Sequence, residues 1–173
     1  LSDSIVIDGE VIPFKTNILF QEKGDSRRTF GIEICEDLWC TYPPSSDLTI
    51  RGAKVIFNLS ASNEIIGKSE YRKSLIKSQS EKTISAYVYA SSGINESTTD
   101  LVFSGASFIY ENGHLLSKNN RFDFESNLIF NDVDLARIDA MRVKDISYMG
   151  VIKDRDKKYD IAYFLSRSFI TPM

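Results

Sequence analysis

The sequence predicts an α/β layered domain. Buried-looking runs of strand length alternate with stretches of helix length, and a hairpin signal follows them. The runs are Arg28–Ile34, Lys54–Leu59 and Ala86–Ala90, and the helix-length stretches between them are Ser45–Gly52 and Lys68–Ser85. The hairpin carries Asn112-Gly113 at its turn, a pair that tolerates positive φ at both positions.

Taken in order, Ile5–Ile7 and Val11–Phe14 read as two short strands around the turn Asp8-Gly9, and Asn17–Phe20 as a third. Arg28–Ile34 leads directly into Cys35. Ser45–Gly52 follows the Pro43-Pro44 break, and Asp47 lies close enough to the break to favour a helix N-terminus there. Lys54–Leu59 is a nearly continuous apolar run, as in a buried strand. Lys68–Ser85 is the clearest helix, with Tyr71, Leu75 and Ser78 on one face and Lys73, Lys77 and Glu81 available to water. Ala86–Ala90 is the next strand. After the polar loop Gly93–Asp100, Ser104–Tyr110 and His114–Leu116 flank the hairpin turn. Asn127–Val133 reads as a further strand, and Asp134 as the cap of a helix running to Met141. Residues 1–145 are expected to form one partial domain. Residues 146–173, with the charge run Asp154–Lys158, are expected to form an extension or linker.

Composition narrows the function classes. The 173 residues are 42% hydrophobic and 12% aromatic, enough for a real core, and the formal charge of −3 gives no electrostatic case for nucleic acid or an anionic membrane as partner. No run reaches the length of a membrane span. The N-terminus lacks both an initiator Met and a secretory pattern, so the chain is expected to begin inside a longer, cytoplasmic protein. Its two cysteines, Cys35 and Cys40, suit a reducing compartment. Without secretion, the tripeptides Asn58-Leu59-Ser60 and Asn95-Glu96-Ser97 carry no glycosylation argument.

Chemistry concentrates at Gly31-Ile32-Glu33-Ile34-Cys35-Glu36-Asp37-Leu38-Trp39. A cysteine leaving a buried strand for a polar turn can present its sulfur at the mouth of a sheet, where a thiolate attacks an amide carbonyl. Backbone N–H groups just after it could stabilise the resulting oxyanion. The competing reading is a small buried hydrophobe. Cys35, Cys40 and the distant His114 make no zinc set, and a lone histidine after a hairpin turn does not make a Cys–His pair. Neither a Gly-x-x-x-x-Gly-Lys-Ser/Thr loop nor a Ser-Gly-Gly-x-Asp-Ser loop occurs, so no ATP site is expected in this chain.

The Cys35 segment resembles the nucleophile segment of nitrilase-superfamily amidases, and most of all the amidase domain of glutamine-dependent NAD synthetases. Three further stretches agree in the same order: Ala53–Ser62, Ser85–Ala90 and Gly93–Phe103. The run Glu96-Ser97-Thr98-Thr99-Asp100-Leu101 is the most specific of them. The resemblance spans Ile5 to Asp145, and Arg167–Pro172 resembles the linker into a synthetase domain. It implies a nitrilase-like αββα sandwich lacking its N-terminal part.

By this resemblance Cys35 attacks the side-chain amide of glutamine, ammonia leaves, and water releases glutamate from the thioester. The ammonia serves ATP-dependent amination of nicotinic acid adenine dinucleotide in a separate synthetase domain, where ATP and Mg are expected; this chain itself is expected to hold no cofactor and no metal. Glu36, Trp39, Ser62 and Lys68 map onto substrate-contacting positions, with core packing as the alternative for Trp39 and a solvated helix residue for Lys68. Residues 96–100 either face the partner domain or order a loop. A homo-oligomer is implied. The family's triad is Glu, Lys and Cys, and only Cys35 has a counterpart here: Lys15 and Lys23 lie outside the triad lysine's pattern. Glu33 should share the face of Cys35, and Glu36 should point the other way if the strand continues. The chain alone is therefore expected to be inactive. The alternatives are a catalytically inactive interaction module of nitrilase-like fold and a stand-alone carbon–nitrogen hydrolase.

Overall fold

The computed structural model describes residues 3–152 and 159–166. The first strands, β1 (Ser4–Ile7) and β2 (Glu10–Pro13), form a hairpin of their own, turned by Asp8 and Gly9 at positive φ. Among the described residues the remaining strands form one seven-stranded sheet. They are β3 (Ile18–Glu22), β4 (Asp25–Ile34), β5 (Val55–Ser60), β6 (Ala86–Ser91), β7 (Ser107–Glu111), β8 (His114–Lys118) and β9 (Asp160–Phe164), in spatial order β8-β7-β6-β5-β4-β3-β9. Strands β4, β5 and β6 are mutually parallel, joined through α1 (Pro44–Ile50) and α2 (Lys68–Lys82). Crossovers of this kind turn right-handed, so two made in the same direction lay both helices on one face.

The helix-covered face holds the core. Ile56, Ile76, Tyr87, Tyr89, Phe108 and Leu48 pack there as one cluster, and each fully buried Leu or Ile contributes about 1.5–3 kcal/mol. Gly31 lets α1 approach: a Cβ on it would meet Leu48 Cδ1 at 3.0 Å and Leu48 Cβ at 3.1 Å. The opposite face carries Phe30, stacked on Phe20 at 5.0 Å and edge-on to Phe57 at 5.3 Å, and beyond them the exposed Ile34 and Leu59.

Two expectations are corrected. The inward face of α2 is Ser69, Arg72, Ile76, Gln79 and Ser80, and Tyr71 is exposed. The buried positions are mostly polar: Arg72 pairs with Glu64, and Gln79 donates to Ser45 and Ser46. A search for an apolar stripe therefore finds the wrong face. Residues 127–133 form no strand; they run without a ladder partner, and Leu128 and Phe130 stand exposed.

The helix α3 (Leu135–Lys144) starts where expected, with the Asp134 side chain accepting from the Arg137 N–H. It closes the end of the sheet where β5 and β6 begin. There Arg142, buried, donates to the carbonyls of Ile84 at 2.9 Å and Ala53 at 2.7 Å. Residues 146–152 form α4, whose Tyr148 hydroxyl donates to the Thr49 carbonyl, and β9 extends the sheet beside β3. Of the region expected to be an extension, these parts pack on the domain. The charge run at 154–158 and the stretch 167–172 lie outside the described residues. Among the described residues no helix is long and apolar enough to cross a membrane.

Candidate active site

Strand β4 ends at Ile34, and the chain turns at once into a 3₁₀ turn, Cys35–Trp39. Its start is at the carboxyl end of the parallel strands, the edge where ligands collect in open α/β sheets. The Asp37 carboxylate reaches back to accept the Ile34 N–H at 2.7 Å, as the third residue of a capping box does. Leu38 anchors the turn in the core. Cys35 itself sits at φ 50°, a left-handed conformation that costs a residue with a Cβ about 1–2 kcal/mol. Such strain persists only where the surroundings hold it.

Those surroundings are polar and buried. Glu33, on the covered face of β4, accepts from the Ser45 N–H at 2.7 Å and from the Tyr87 hydroxyl in a short hydrogen bond. Burial pushes the Glu33 carboxyl above the ordinary glutamate range, against the hydrogen bonds from Tyr87 and Ser45. Burial, and next the Glu33 charge, pushes the Tyr87 phenol far up, so it stays a donor. The Asn58 amide donates to the Tyr87 oxygen at 3.1 Å and to the Cys35 carbonyl at 3.5 Å. One rung further out, the Tyr89 hydroxyl donates to Ser60 Oγ at 2.8 Å, and Ser60 Oγ donates to Cys35 Sγ at 3.5 Å.

The half-buried Cys35 faces a cavity of about 340 Å³ lined by Glu36, Trp39, Ser62, Asn63 and Lys68. Every candidate substrate residue from the sequence is in that set. Lys68 Nζ donates to Asn63 Oδ1 at 2.9 Å and lies 5.3 Å from the centre of the Trp39 ring, a cation–π contact that holds the ammonium over the aromatic wall. Trp39 in turn packs on Tyr71 at 5.5 Å. Ser62 is buried behind the rim. Glu36 does not point away: the strand stops at Ile34, the turn reverses the alternation, and Glu36 lines the same cavity as Cys35.

Other residues lie elsewhere. Lys15 pairs with Asp160 at 2.6 Å beside β3, and Lys23 lies in the turn between β3 and β4; neither lines the cavity. His114 is exposed at the start of β8. In the loop at 93–105, Thr98 and Ser97 accept from the backbone N–H groups of Leu101 and Phe103, so these side chains order the loop. Sequence reasoning missed Asn58, Ser60, Tyr87 and Tyr89. Their signal was there: polar atoms at alternate positions of two strands that otherwise read as apolar, hence four polar tips on one face.

No family model matches the chain. The glutamine-dependent NAD(+) synthetase of Mycobacterium tuberculosis is 36% identical over 156 residues, which are 90% of this chain and 22% of that protein. Its counterpart in Mycobacterium leprae is 37% identical over 147 residues, 85% of this chain and 21% of that protein. Among solved structures, a glutamine-dependent NAD(+) synthetase from Cytophaga hutchinsonii matches with TM-score 0.58 and 30% identity, covering 70% of this chain and 18% of that one. The chain is related to the glutamine-dependent NAD synthetases. It spans about a fifth of the length of these curated relatives. The fold is shared more widely: a carbon-nitrogen hydrolase from Helicobacter pylori matches with TM-score 0.58 at 15% identity, over 73% of this chain and 46% of that one, and a nitrilase-superfamily member from Saccharomyces cerevisiae with TM-score 0.56 at 18% identity, over 67% of this chain and 41% of that one.

Proposed function

We propose that Cys35 is the nucleophile of a glutamine-hydrolysing site that supplies ammonia to NAD synthesis. The observation that carries this reading is the pairing of a strained, half-buried cysteine at a strand end with a cavity whose charged lining is one cation and one carboxylate, Lys68 and Glu36. Free glutamine presents the complementary pair, an α-carboxylate and an α-ammonium, at the end remote from its amide. Lys68 holds the carboxylate as a point charge, Glu36 receives the ammonium, and the Trp39 wall lies along the methylenes. The side-chain amide then lies at Cys35 Sγ.

Chemically, the sulfur lone pair forms a bond to the amide carbon and the carbonyl electrons move onto oxygen. The tetrahedral intermediate collapses with loss of ammonia, which takes up the thiol's proton. Water then adds to the thioester carbon, and glutamate leaves as the S–C bond breaks and the sulfur is reprotonated. With Glu36 and Lys68 both engaged by substrate, the proton carrier and the cation that supports the intermediate come from the Glu and Lys of the family triad, which the resemblance puts upstream of the Cys35 segment. The ammonia passes to a synthetase domain of the same polypeptide, where ATP and Mg act; 1–145 belongs to the amidase half, and the segment after it leads toward that domain.

The test uses the full-length synthetase. Cys35→Ala should lower glutamine-dependent NAD formation by at least about 10³-fold, the scale of losing a catalytic nucleophile, and leave synthesis from free ammonia intact. Equal loss with both nitrogen sources would break the reading.

A further inference from the structure

The Cys35 sulfur is held by a two-residue chain that the reaction scheme above does not use. Ser60 ends β5 beside the cysteine, and its hydroxyl donates to Sγ at 3.5 Å. A serine hydroxyl has one hydrogen and can aim it at several acceptors. Here the choice is made by Tyr89, whose hydroxyl donates to Ser60 Oγ at 2.8 Å. With a donor already occupying that oxygen, the Ser60 hydrogen is free to point at the sulfur. Tyr89 keeps the proton it donates: it is 1% exposed, and burial raises its phenol above the ordinary range. The ring is fixed as well, with Phe108 at 6.3 Å on one side and the buried Arg72 guanidinium 5.9 Å from its centre. Ser60 is itself 92% buried, being 8% exposed, so water does not compete for its hydroxyl.

We infer that Ser60 is a positioning residue for the nucleophile, and that Tyr89 acts on the sulfur only through Ser60. The hydrogen bond keeps Sγ turned toward the cavity. This rests on the reading of Cys35 as nucleophile, but it is tested separately. The charged groups that share the cavity with Cys35 are Glu36 on its own turn and Lys68 at the start of α2; Glu33 on β4 and Arg72 on α2 stand behind through Tyr87 and Tyr89. None is altered by the substitutions used.

Cys40 supplies an internal reference, since it is exposed at the end of the same turn and its sulfur faces the Glu36 carbonyl. The chain is alkylated with iodoacetamide at fixed pH, and the Cys35 and Cys40 peptides are quantified over time in the same sample. Ser60→Ala should slow Cys35 by about threefold, the scale of losing one weak hydrogen bond that holds the sulfur toward the cavity. Cys40 should be unchanged. Ser60→Thr, which keeps the hydroxyl, should restore Cys35. Tyr89→Phe should slow Cys35 in the same direction, and Ser60→Ala with Tyr89→Phe should be no slower than Ser60→Ala alone. An unchanged Cys35 rate in Ser60→Ala, losses that multiply in the double variant, or Cys40 moving in step with Cys35 would each overturn the inference. The nucleophile reading would survive those results, since it stands or falls on Cys35→Ala in the full-length synthetase.

Discussion

Two residues with side chains that resist left-handed backbone occupy it at opposite ends of the parallel strands. Cys35 follows β4 at φ 50°, and Ile84 precedes β6 at φ 45°. Both are held by buried polar groups. Ile84 lies beneath Arg142, whose Nε takes its carbonyl at 2.9 Å; Cys35 has its carbonyl taken by Asn58 and its sulfur by Ser60. The difference is in what each faces. Ile84 is 7% exposed and sealed by α3, whereas Cys35 opens on a cavity. Strain alone therefore does not mark a functional residue. Strain at the sealed end is a closure of the fold; strain at the open end sits beside a cavity that Cys35 lines.

The sealed end should give the larger stability effect. Arg142 donates to the Ile84 and Ala53 carbonyls, and more weakly to those of Thr49 and Thr83. Hydrogen bonds from a charged donor contribute about 1.5–3 kcal/mol each, and truncation also leaves buried carbonyls unpaired. Arg142→Ala should cost roughly 3–5 kcal/mol in a urea titration. A loss below about 1 kcal/mol would mean that water replaces the guanidinium and that the end is not sealed.

At the open end the supporting carboxyl is Glu33. Glu33→Ala strands the Tyr87 hydroxyl and the Ser45 N–H, at about 1–3 kcal/mol for each unsatisfied group. Glu33→Gln keeps the shape and removes the titration. Because burial raises the folded-state value of Glu33 above its unfolded one, the native state binds this proton more tightly. Its contribution is complete below the unfolded value and is lost as pH rises through the raised folded value. The unfolding midpoint of the wild type should therefore fall relative to Glu33→Gln from about pH 4 upward. Parallel curves for the two proteins would show that Glu33 carries the same affinity for protons folded and unfolded.

The sequence made the apolar half of this comparison legible and hid the polar half. Strands β4, β5 and β6 announced themselves because a sheet covered by helices needs continuous apolar runs, and the Asn112-Gly113 and Asp134 signals placed the hairpin and α3 because their chemistry is local. Glu36, Trp39, Ser62 and Lys68 came from a family resemblance rather than from spacing; the fold is what brings them to one cavity. The face of α2 was misread because Arg72 and Gln79 are buried through partners distant in sequence, Glu64 and Ser45, which periodicity cannot see. Residues 127–133 read as a strand from composition, but a strand needs a neighbour, and none of the described strands pairs with it.

The smallest effect tests the strain itself. Replacing Cys35 by Gly and by Ala removes the thiol from both proteins, so their difference reports only the backbone. At most positions Ala is favoured, because Gly has more conformational freedom to lose on folding, by about 0.5–1 kcal/mol. At φ 50° the Cβ of Ala meets the penalty of about 1–2 kcal/mol that Gly escapes. The two terms oppose each other, and the steric one is larger, so Cys35→Gly should be more stable than Cys35→Ala by about 0.5–1 kcal/mol. The same pair at Ile84 should show the same sign, since the backbone there is equally left-handed. If Ala matches or exceeds Gly at position 35, the turn is not strained, and the parallel between the two ends of the sheet fails at the open end.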